Sequence, residues 1–262
     1  MKAKRVIFII LFLALLLVFA YSAYRVTGTL HEYSVSDRYY EKTRQVAVST
    51  QPPSQSAGRQ SSDGETVPVP ADSSPMNVDF DALMQLCPDA RAWLCLPDTV
   101  IDYPVVQGRD NDYYLHHLLD GSENPGGSLF LDFRSPSDFT GWNTLIYGHN
   151  MSDGSMFHTL PRFKEQSFYE QHPFLYLNTP QGDYRLEVFA CFVTWHDSRV
   201  YIRDFGSRTE FTEWVDLMRS YSDISSDVEV GPDDRIVTLS TCSYEYDDAR
   251  YVVMTKLVPL DG

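Results

Sequence analysis

Seven segments between residues 100 and 258 have the hydrophobic pattern of β-strands. Val, Ile, Tyr and Phe dominate these segments, and Gly, Pro, Asn or Asp residues bound them. The segments are 100–106, 128–132, 144–147, 174–177, 184–195, 235–241 and 251–258. Because many short strands in one domain are typical of a barrel or a sandwich, we predict a mainly β fold, built as a barrel with a few peripheral helices.

The segment from 207 to 221 has the apolar spacing of an amphipathic helix. Ser207 and Glu210 form a capping box at its start. The apolar side chains that share one face are Phe211, Trp214, Val215, Met218 and Tyr221. We therefore expect a helix that packs on the outside of the sheet. Weaker helical patterns occur at 80–86, 113–119 and 156–169.

The N-terminus has the features of a membrane anchor. Lys2, Lys4 and Arg5 precede a nearly unbroken apolar run over residues 6–20, with further apolar residues to position 24. A run of roughly 20 apolar residues is long enough to cross a bilayer. The basic residues before it predict a single-pass anchor in the cell membrane, with the N-terminus inside and the rest of the chain outside. The small residues Ala20 and Ser22 also fit the alternative of a cleaved signal peptide.

Composition divides the remaining chain into a tether and a globular domain. Residues 26–50 are polar and mixed and are compatible with a helical stalk, whereas 51–75 are rich in Pro, Ser, Gln, Gly and Asp and contain no aromatic residue. We predict that 1–25 is the anchor, 26–75 the extracellular stalk and tether, and 76–262 one catalytic domain. A chain that begins near residue 76 is expected to be soluble and active, because no core residue or catalytic residue is expected before that point.

Charge and cysteine spacing exclude several kinds of partner. The 262 residues include 21 Lys and Arg against 36 Asp and Glu, a net charge of −15, and no basic stripe offsets it. Nucleic acid is therefore not expected as a partner. No cysteines have the C-x-x-C spacing, and His116 and His117 lack a further ligand at helical spacing, so we expect neither a metal nor another cofactor. A disulfide between Cys87 and Cys95 is left open.

Two predicted strands end on side chains that can carry chemistry. Residues 143–148 lead to a Gly-His turn at His149, and residues 236–241 lead to Cys242. Arg250 opens the next strand after a seven-residue connection, so it is expected to face Cys242 across a hairpin. A nucleophile, a proton-transfer group and a cation then lie at one rim of the barrel. Each alone also has a structural interpretation, as a buried small side chain, a turn histidine and a surface ion pair.

The segments around these residues resemble the signatures of a known family. Residues 144–157 read TLIYGHNMSDGSMF, and residues 238–250 read TLSTCSYEYDDAR. Both are similar to the His and Cys signatures of class B sortases. Further segments that resemble this class are 102–107 (DYPVVQ), 110–117 (DNDYYLHH), 127–132 (GSLFLD), 166–172 (QSFYEQH) and 201–205 (YIRDF). The resemblance extends over nearly all of residues 80–258.

The resemblance implies a cysteine transpeptidase on a closed sortase barrel of about seven to eight strands, working without a cofactor. Cys242, His149 and Arg250 match the family's three catalytic residues. Cys242 would attack the Thr carbonyl of a sorting motif in a secreted protein, His149 would transfer protons, and Arg250 would stabilise the oxyanion. The implied acceptor is an amine of a lipid-linked cell-wall precursor or of a pilin, at the cell wall of a Gram-positive bacterium.

The resemblance also assigns residues to substrate binding. Residue by residue, these are Asn111 with Leu115, Tyr201 with Ile202, and Ser240. The match at Tyr201 depends on an insertion at 196–200, and Ser243 stands where some members carry an acidic residue. These differences leave the preferred motif open, and with it the choice among a haem-acquisition protein, a pilin and another surface protein as the substrate.

Two other functions fit the same residues. A peptidase or hydrolase would use the same cysteine and histidine, with water as the acceptor. A membrane-tethered binding module without catalysis would keep Cys242 as a structural residue. Aminolysis of a trapped acyl-enzyme distinguishes the first from a transpeptidase, and labelling of Cys242 by a thiol reagent distinguishes the second.

Overall fold

A computed structural model describes residues 2–50, 73–196, 198–243 and 245–260. The chain divides into two units, Met1–Glu41 and Lys42–Gly262. Most of the segment predicted as a tether lies outside the described residues, so the tether remains a prediction.

The described part of the first unit lies within one long helix. The helix α1 (Lys2–Ala47) is continuous, contains residues 2–25 of the predicted anchor, and makes the stalk segment helical as far as Ala47. Among the described residues it is the one helix that is long and apolar enough to cross a membrane. Large side chains such as Phe8, Leu15 and Leu17 are exposed over more than half of their surface. Such a helix suits a lipid environment, where its own hydrogen bonds satisfy the backbone.

The second unit is a closed barrel with a separate pair of short strands. The strands are β1 (Val48–Thr50), β2 (Met76–Val78), β3 (Ala90–Cys95), β4 (Asp102–Val106), β5 (Leu129–Leu131), β6 (Asn143–Tyr147), β7 (Phe174–Thr179), β8 (Gly182–Trp195), β9 (Ile236–Cys242) and β10 (Ala249–Pro259). β3 to β10 close in the order β10-β8-β7-β3-β4-β5-β6-β9. The pairs β4–β5 and β6–β9 are parallel, and the other barrel pairs are antiparallel. The predicted barrel is confirmed.

The seven predicted strands correspond to β4 through β10, with small shifts at their ends. The eighth barrel strand, β3, was not predicted. Its sequence, ARAWLC, contains no Val, Ile, Tyr or Phe and has Trp93 as its one strand-favouring residue, and every position except Arg91 is buried, so it shows little strand composition and no alternation. Pairing with β4 and β7 makes it a strand. Tertiary context therefore outweighs local preference at this position.

The strongest helix prediction is confirmed with one change. The helix α2 (Phe80–Leu86) also has the predicted bounds, and α3 (Gln166–Gln171) and α4 (Arg208–Ser220) follow. In α4 the Ser207 hydroxyl accepts a hydrogen bond from the Glu210 amide at 3.1 Å, and the first four predicted apolar side chains are buried against β8 and β10. Tyr221 is the C-cap, one residue beyond the helix, and is 54% exposed, although its ring still contacts Phe192 of β8 at a centroid distance of 5.7 Å.

The weaker helical patterns fold mainly as 3₁₀ helices. The pattern at 113–119 contains a single 3₁₀ turn, Tyr113–Leu115. The pattern at 156–169 contains the 3₁₀ helix Phe157–Lys164 and the start of α3. Pro161 lies inside the first of these, and a proline lacks the amide that an α-helix interior needs.

The segment just before the predicted tether belongs to the second unit. Thr43 and Ala47 are buried, and Ala47 packs in a cluster with Met76 and Trp93. β1 pairs with β2 in an antiparallel register. Arg44 forms an ion pair with Asp102. The expectation that nothing before residue 76 adds to the core is therefore wrong.

These contacts predict that two truncated chains differ in stability. A chain that begins at Lys42 keeps Ala47, β1 and Arg44, whereas one that begins at Ser73 loses them. We expect the shorter chain to be less stable by about 1–3 kcal/mol, which lowers its Tm by roughly 3–10 °C. Thermal unfolding of the two chains measures the difference. Equal Tm values would show that 42–50 adds no stability.

Candidate active site

Parallel pairing of β6 with β9 places two predicted site residues side by side. The register pairs Tyr147 with Ser240. His149 and Cys242 each follow two residues later on their own chain segments, so both extend beyond the same end of the pair. Because side chains alternate along a strand, His149 continues the face of Tyr147, and Cys242 continues the face of Ser240.

Three hydrogen bonds hold the two segments together where the strands end. The Gly148 amide donates to the Ser240 carbonyl at 3.2 Å, and the Thr241 hydroxyl donates to the Gly148 carbonyl at 2.8 Å. The Asn150 side-chain amide donates to the Cys242 carbonyl at 3.1 Å. A Cβ on Gly148 would overlap side-chain atoms of Leu129 and Phe157. Glycine is therefore required at this position for His149 to sit beside β9.

His149 is held by the backbone of the 3₁₀ turn at 113–115. Its Nε2 lies 2.8 Å from the Leu115 carbonyl oxygen. Since a carbonyl only accepts, Nε2 carries the proton in the neutral ring and Nδ1 keeps its lone pair. Burial lowers the pKa of His149, although the hydrogen bond to Leu115 acts in the opposite direction. The imidazole is therefore mainly neutral near pH 7.

Arg250 faces Cys242 across the β9–β10 hairpin. The antiparallel register pairs these two residues directly, as the sequence predicts. The Arg250 Nη1 donates to the Ala249 carbonyl at 3.0 Å. A fixed cation thus lies across from the thiol on β10. His149 follows β6, the strand that pairs with the other edge of β9.

A cleft of about 300 Å³ contains these three side chains. It is also lined by four of the five predicted substrate-binding residues, Asn111, Leu115, Tyr201 and Ser240. Ile202 is not among its lining residues, and its carbonyl instead accepts a hydrogen bond from the Asn143 side chain at 2.8 Å. The Tyr201 hydroxyl lies 3.0 Å from Ser240 Oγ, which links the 3₁₀ turn Arg199–Tyr201 to β9.

Five residues of the cleft lining were not predicted as site residues. They are Phe130, Tyr147, Gly148, His196 and Thr241. Tyr147 precedes His149 by two positions on an extended segment, so the period of a strand was a sufficient signal for it. Phe130 and His196 had no comparable signal, because their placement depends on β5 and on the end of β8.

Cys242 differs from the other cysteines in exposure. All four are free, and Cys87, Cys95 and Cys191 are buried whereas Cys242 is half-buried. Burial raises the pKa of both Cys95 and Cys191 to about 12. Those thiols are therefore inert near neutral pH. Within the described ranges, no three His, Cys, Asp or Glu side chains are grouped as metal ligands would be.

The cleft brings together a thiol, an imidazole and a guanidinium at strand ends of a closed barrel. This arrangement suits acyl transfer through a cysteine.

Comparison with known proteins identifies the family, since a family model described as the sortase domain matches residues 94–258. The chain is 40% identical to sortase B of Listeria monocytogenes over 178 residues, which cover 67% of this chain and 72% of that protein. It is 35% identical to sortase B of Staphylococcus aureus over 181 residues, 68% of this chain and 74% of that protein.

Solved structures agree with the sequence comparison. Sortase B from Bacillus anthracis matches with a TM-score of 0.71 and 32% identity, covering 88% of this chain and 99% of that one. A Staphylococcus aureus sortase B–substrate complex matches with a TM-score of 0.67 and 34% identity, covering 70% of this chain and 86% of that one. The chain belongs to the sortase family, in class B, and is a cysteine transpeptidase.

Proposed function

We propose that Cys242, His149 and Arg250 are the catalytic residues and that the enzyme cleaves a sorting motif after its Thr. The observation that carries this proposal is strand register. It puts Arg250 opposite Cys242 on one neighbouring strand and aligns His149 with Cys242 on the other. All three side chains line one cleft large enough for several peptide side chains.

In the first step, the Cys242 thiolate attacks the Thr carbonyl carbon of the bound motif. A carbon–sulfur bond forms and the peptide carbon–nitrogen bond breaks, which leaves a thioester on the enzyme. Arg250 donates hydrogen bonds to the carbonyl oxygen as negative charge develops on it. The Cys242 proton first moves to Nδ1 of the neutral His149, because Nε2 is engaged with the Leu115 carbonyl, and this minor thiolate–imidazolium form is the reactive one. The leaving amine then takes that proton from Nδ1.

In the second step, an amine resolves the thioester. His149, now neutral, accepts a proton from the incoming amine as the new amide bond forms and the Cys242 thiolate leaves. Water would give hydrolysis by the same route. We propose that the physiological acceptor is an amine of a lipid-linked cell-wall precursor or of a pilin.

We propose that the cleft wall binds the motif upstream of the scissile bond. Asn111 and Ser240 offer polar groups, and Leu115 offers apolar surface. Tyr201 and Ile202 belong to the same proposed set, although Ile202 would reach the peptide only through a change in its segment. A solved relative is a sortase B–substrate complex, which supports assigning this cleft to the peptide.

The proposed location follows from the apolar helix. We propose that α1 is a single-pass anchor with its N-terminus inside, so that the barrel lies outside the cell membrane and faces the cell wall. Anchoring keeps the enzyme beside both a lipid-linked acceptor and substrates that emerge from secretion.

Peptide cleavage tests the proposed reaction. The full chain in detergent is incubated with N-P-x-T-N, L-P-x-T-G and S/P-P-x-T-G peptides, and the acyl-enzyme is followed by intact mass. We expect one class to be cleaved after Thr, with turnover accelerated by hydroxylamine or an oligoglycine amine. Cleavage that amines leave unchanged would indicate a hydrolase. No acyl-enzyme with any of the three classes would contradict the proposed substrate.

A further inference from the structure

Asp132 is a fully buried carboxylate just after β5. The Arg134 guanidinium donates to both of its oxygens, from Nε at 2.9 Å and from Nη2 at 2.7 Å. The Arg134 amide adds a third hydrogen bond at 2.9 Å. A buried charge is costly unless it is paired and hydrogen-bonded, and this one is.

The same carboxylate also binds two residues of the cleft wall. Asp132 Oδ2 accepts from Asn111 Nδ2 at 3.0 Å and from the Tyr147 hydroxyl at 3.2 Å. Arg203, two residues after Tyr201, approaches the same oxygen at 4.0 Å. Three segments that form or adjoin the cleft therefore converge on one buried anion.

These contacts fix the rotation of the Asn111 amide. Its Oδ1 accepts from the Phe133 backbone amide at 3.0 Å while its Nδ2 donates to Asp132. A rotation that exchanged the two ends would place Nδ2 against an N–H and Oδ1 against a carboxylate, so one orientation is selected. One N–H of the side chain is left for another acceptor.

The Tyr147 ring is fixed at two ends. Its hydroxyl is bound to Asp132, and its ring packs beside Phe130 and Tyr201, with centroid distances of 5.4 and 6.3 Å. Tyr201 in turn contacts Ser240, which is two positions before Cys242. The wall of the cleft is thus continuous from Asp132 to the strand that carries the thiol.

The charge state of this group does not change over the working range of the enzyme. Burial alone would raise the pKa of Asp132, but hydrogen bonds from Arg134 and Asn111 outweigh burial and lower the pKa to about 2. Burial, with the neighbouring Asp132 charge, raises the pKa of Tyr147. The carboxylate therefore remains an acceptor and the phenol a donor at neutral pH.

We propose that Asp132 is a positioning residue for peptide recognition: its buried carboxylate holds the Asn111 amide and the Tyr147 hydroxyl in the orientations that the sorting peptide meets. It does not touch the reacting atoms. This inference rests on the proposed function, which assigns the cleft to the peptide.

The test is Asp132→Asn in the full chain in detergent, with the cleaved peptide as substrate. The asparagine side chain keeps one acceptor oxygen, which the Arg134 amide and Nε hold at the Oδ1 position, and its NH2 group then replaces the Oδ2 that accepts from Asn111 and Tyr147. We therefore expect KM to rise about 10-fold and kcat to stay within about twofold. Alkylation of Cys242 by iodoacetamide should keep its rate. An unchanged KM would overturn the proposal. A rise in KM accompanied by an equal change in the rate of Cys242 alkylation would also overturn it, because it would indicate general disruption of the site.

A matched control makes the same change away from the cleft. Asp183, at the β7–β8 turn, also accepts from an asparagine side chain, Asn178, at 2.7 Å. Asp183→Asn should leave KM unchanged. A similar rise in KM for both variants would contradict a specific role for Asp132.

A double-mutant cycle separates positioning from independent effects. Asn111→Ala alone should raise KM, but it should add little in the Asp132→Asn background, because the amide is already released. Additive effects would overturn the proposal. If Asp132→Asn does not fold, Tyr147→Phe removes one donor and keeps the ring, and it should raise KM about threefold with kcat unchanged. An unchanged KM in that variant would overturn the role assigned to Tyr147.

The proposal can fail separately from the proposed function. If the wild-type chain cleaves no peptide, the proposed substrate fails. The Asn111 side-chain amide proton that binds Asp132 then provides the test by NMR: it should exchange slowly in the wild type and rapidly in Asp132→Asn. Equal exchange in the two proteins would overturn the proposal without reference to any peptide.

Discussion

Cys242→Ala should abolish the acyl-enzyme and lower kcat/KM by at least about 10⁴-fold. The reason is that no other described thiol can take over the reaction, since Cys87, Cys95 and Cys191 are all buried. Peptide binding should persist, because the cleft wall is formed by other residues. Intact-mass analysis after incubation with peptide measures the acyl-enzyme, and peptide affinity is measured in parallel.

Cys95→Ala is the matched control for this variant. Cys95 lies at the end of β3 and packs in the cluster that includes Ala47 and Trp93. This variant should lose some stability and retain the acyl-enzyme. In the wild type, iodoacetamide should label Cys242 before the other cysteines. Acyl-enzyme formation by Cys242→Ala would show that another residue is the nucleophile.

His149→Ala should lower kcat/KM by about 10³-fold and leave alkylation of Cys242 possible at high pH. The variant keeps the nucleophile but loses the group that transfers protons to the leaving amine and from the incoming one. It also leaves a gap next to the Leu115 carbonyl, which added imidazole can fill. Partial recovery of peptide cleavage with imidazole is the measurement. Full activity without imidazole would exclude His149 as the proton-transfer group.

The pH dependence of stability provides a second measurement on the same variant. Burial holds the pKa of His149 below its ordinary value of 6.5 in the folded chain. Below pH 6.5 the unfolded chain therefore binds a proton that the folded chain does not, and stability falls as pH drops toward the folded pKa. His149→Ala should lose less Tm than the wild type between pH 7.5 and 5.5. His172→Ala, whose histidine pKa is also lowered by burial, should share this effect and keep full activity.

Local patterns were enough to predict most of the barrel. β-branched and aromatic residues identified β4 through β10, and apolar spacing identified α4. They failed at β3, where Ala90 and Ala92 carry no strand signal, Trp93 alone is too little, and pairing with both neighbours decides the structure. They also failed at Ala47, because its burial depends on Met76 and Trp93 beyond a Pro- and Ser-rich segment.

The site was only partly accessible from local reasoning. A hairpin predicts that Arg250 faces Cys242, since a short connection makes consecutive strands antiparallel neighbours. Nothing local predicts that β6 pairs with β9, so the expectation that His149 shares a rim with Cys242 rested on the strand-end positions of both residues, and the family resemblance strengthened it. Asp132 lies in the segment 127–132 that resembles the family, but nothing in the sequence assigns this side chain a role, because its partners Asn111 and Tyr147 meet it only in the fold.

The parallel pairing of β6 with β9 affects when the enzyme becomes active during folding. Gly148 and Thr241, which bind each other where these strands end, are 93 residues apart along the chain. Closing so long a loop costs chain entropy, and pairings between distant residues form slowly. The pairing also cannot form before β7, β8 and α4 are synthesised, because they lie between β6 and β9 along the chain. Until β6 and β9 pair, Cys242 lacks the histidine that the closed barrel brings to the same cleft. Acyl transfer through Cys242 is therefore expected to begin only when the barrel has closed.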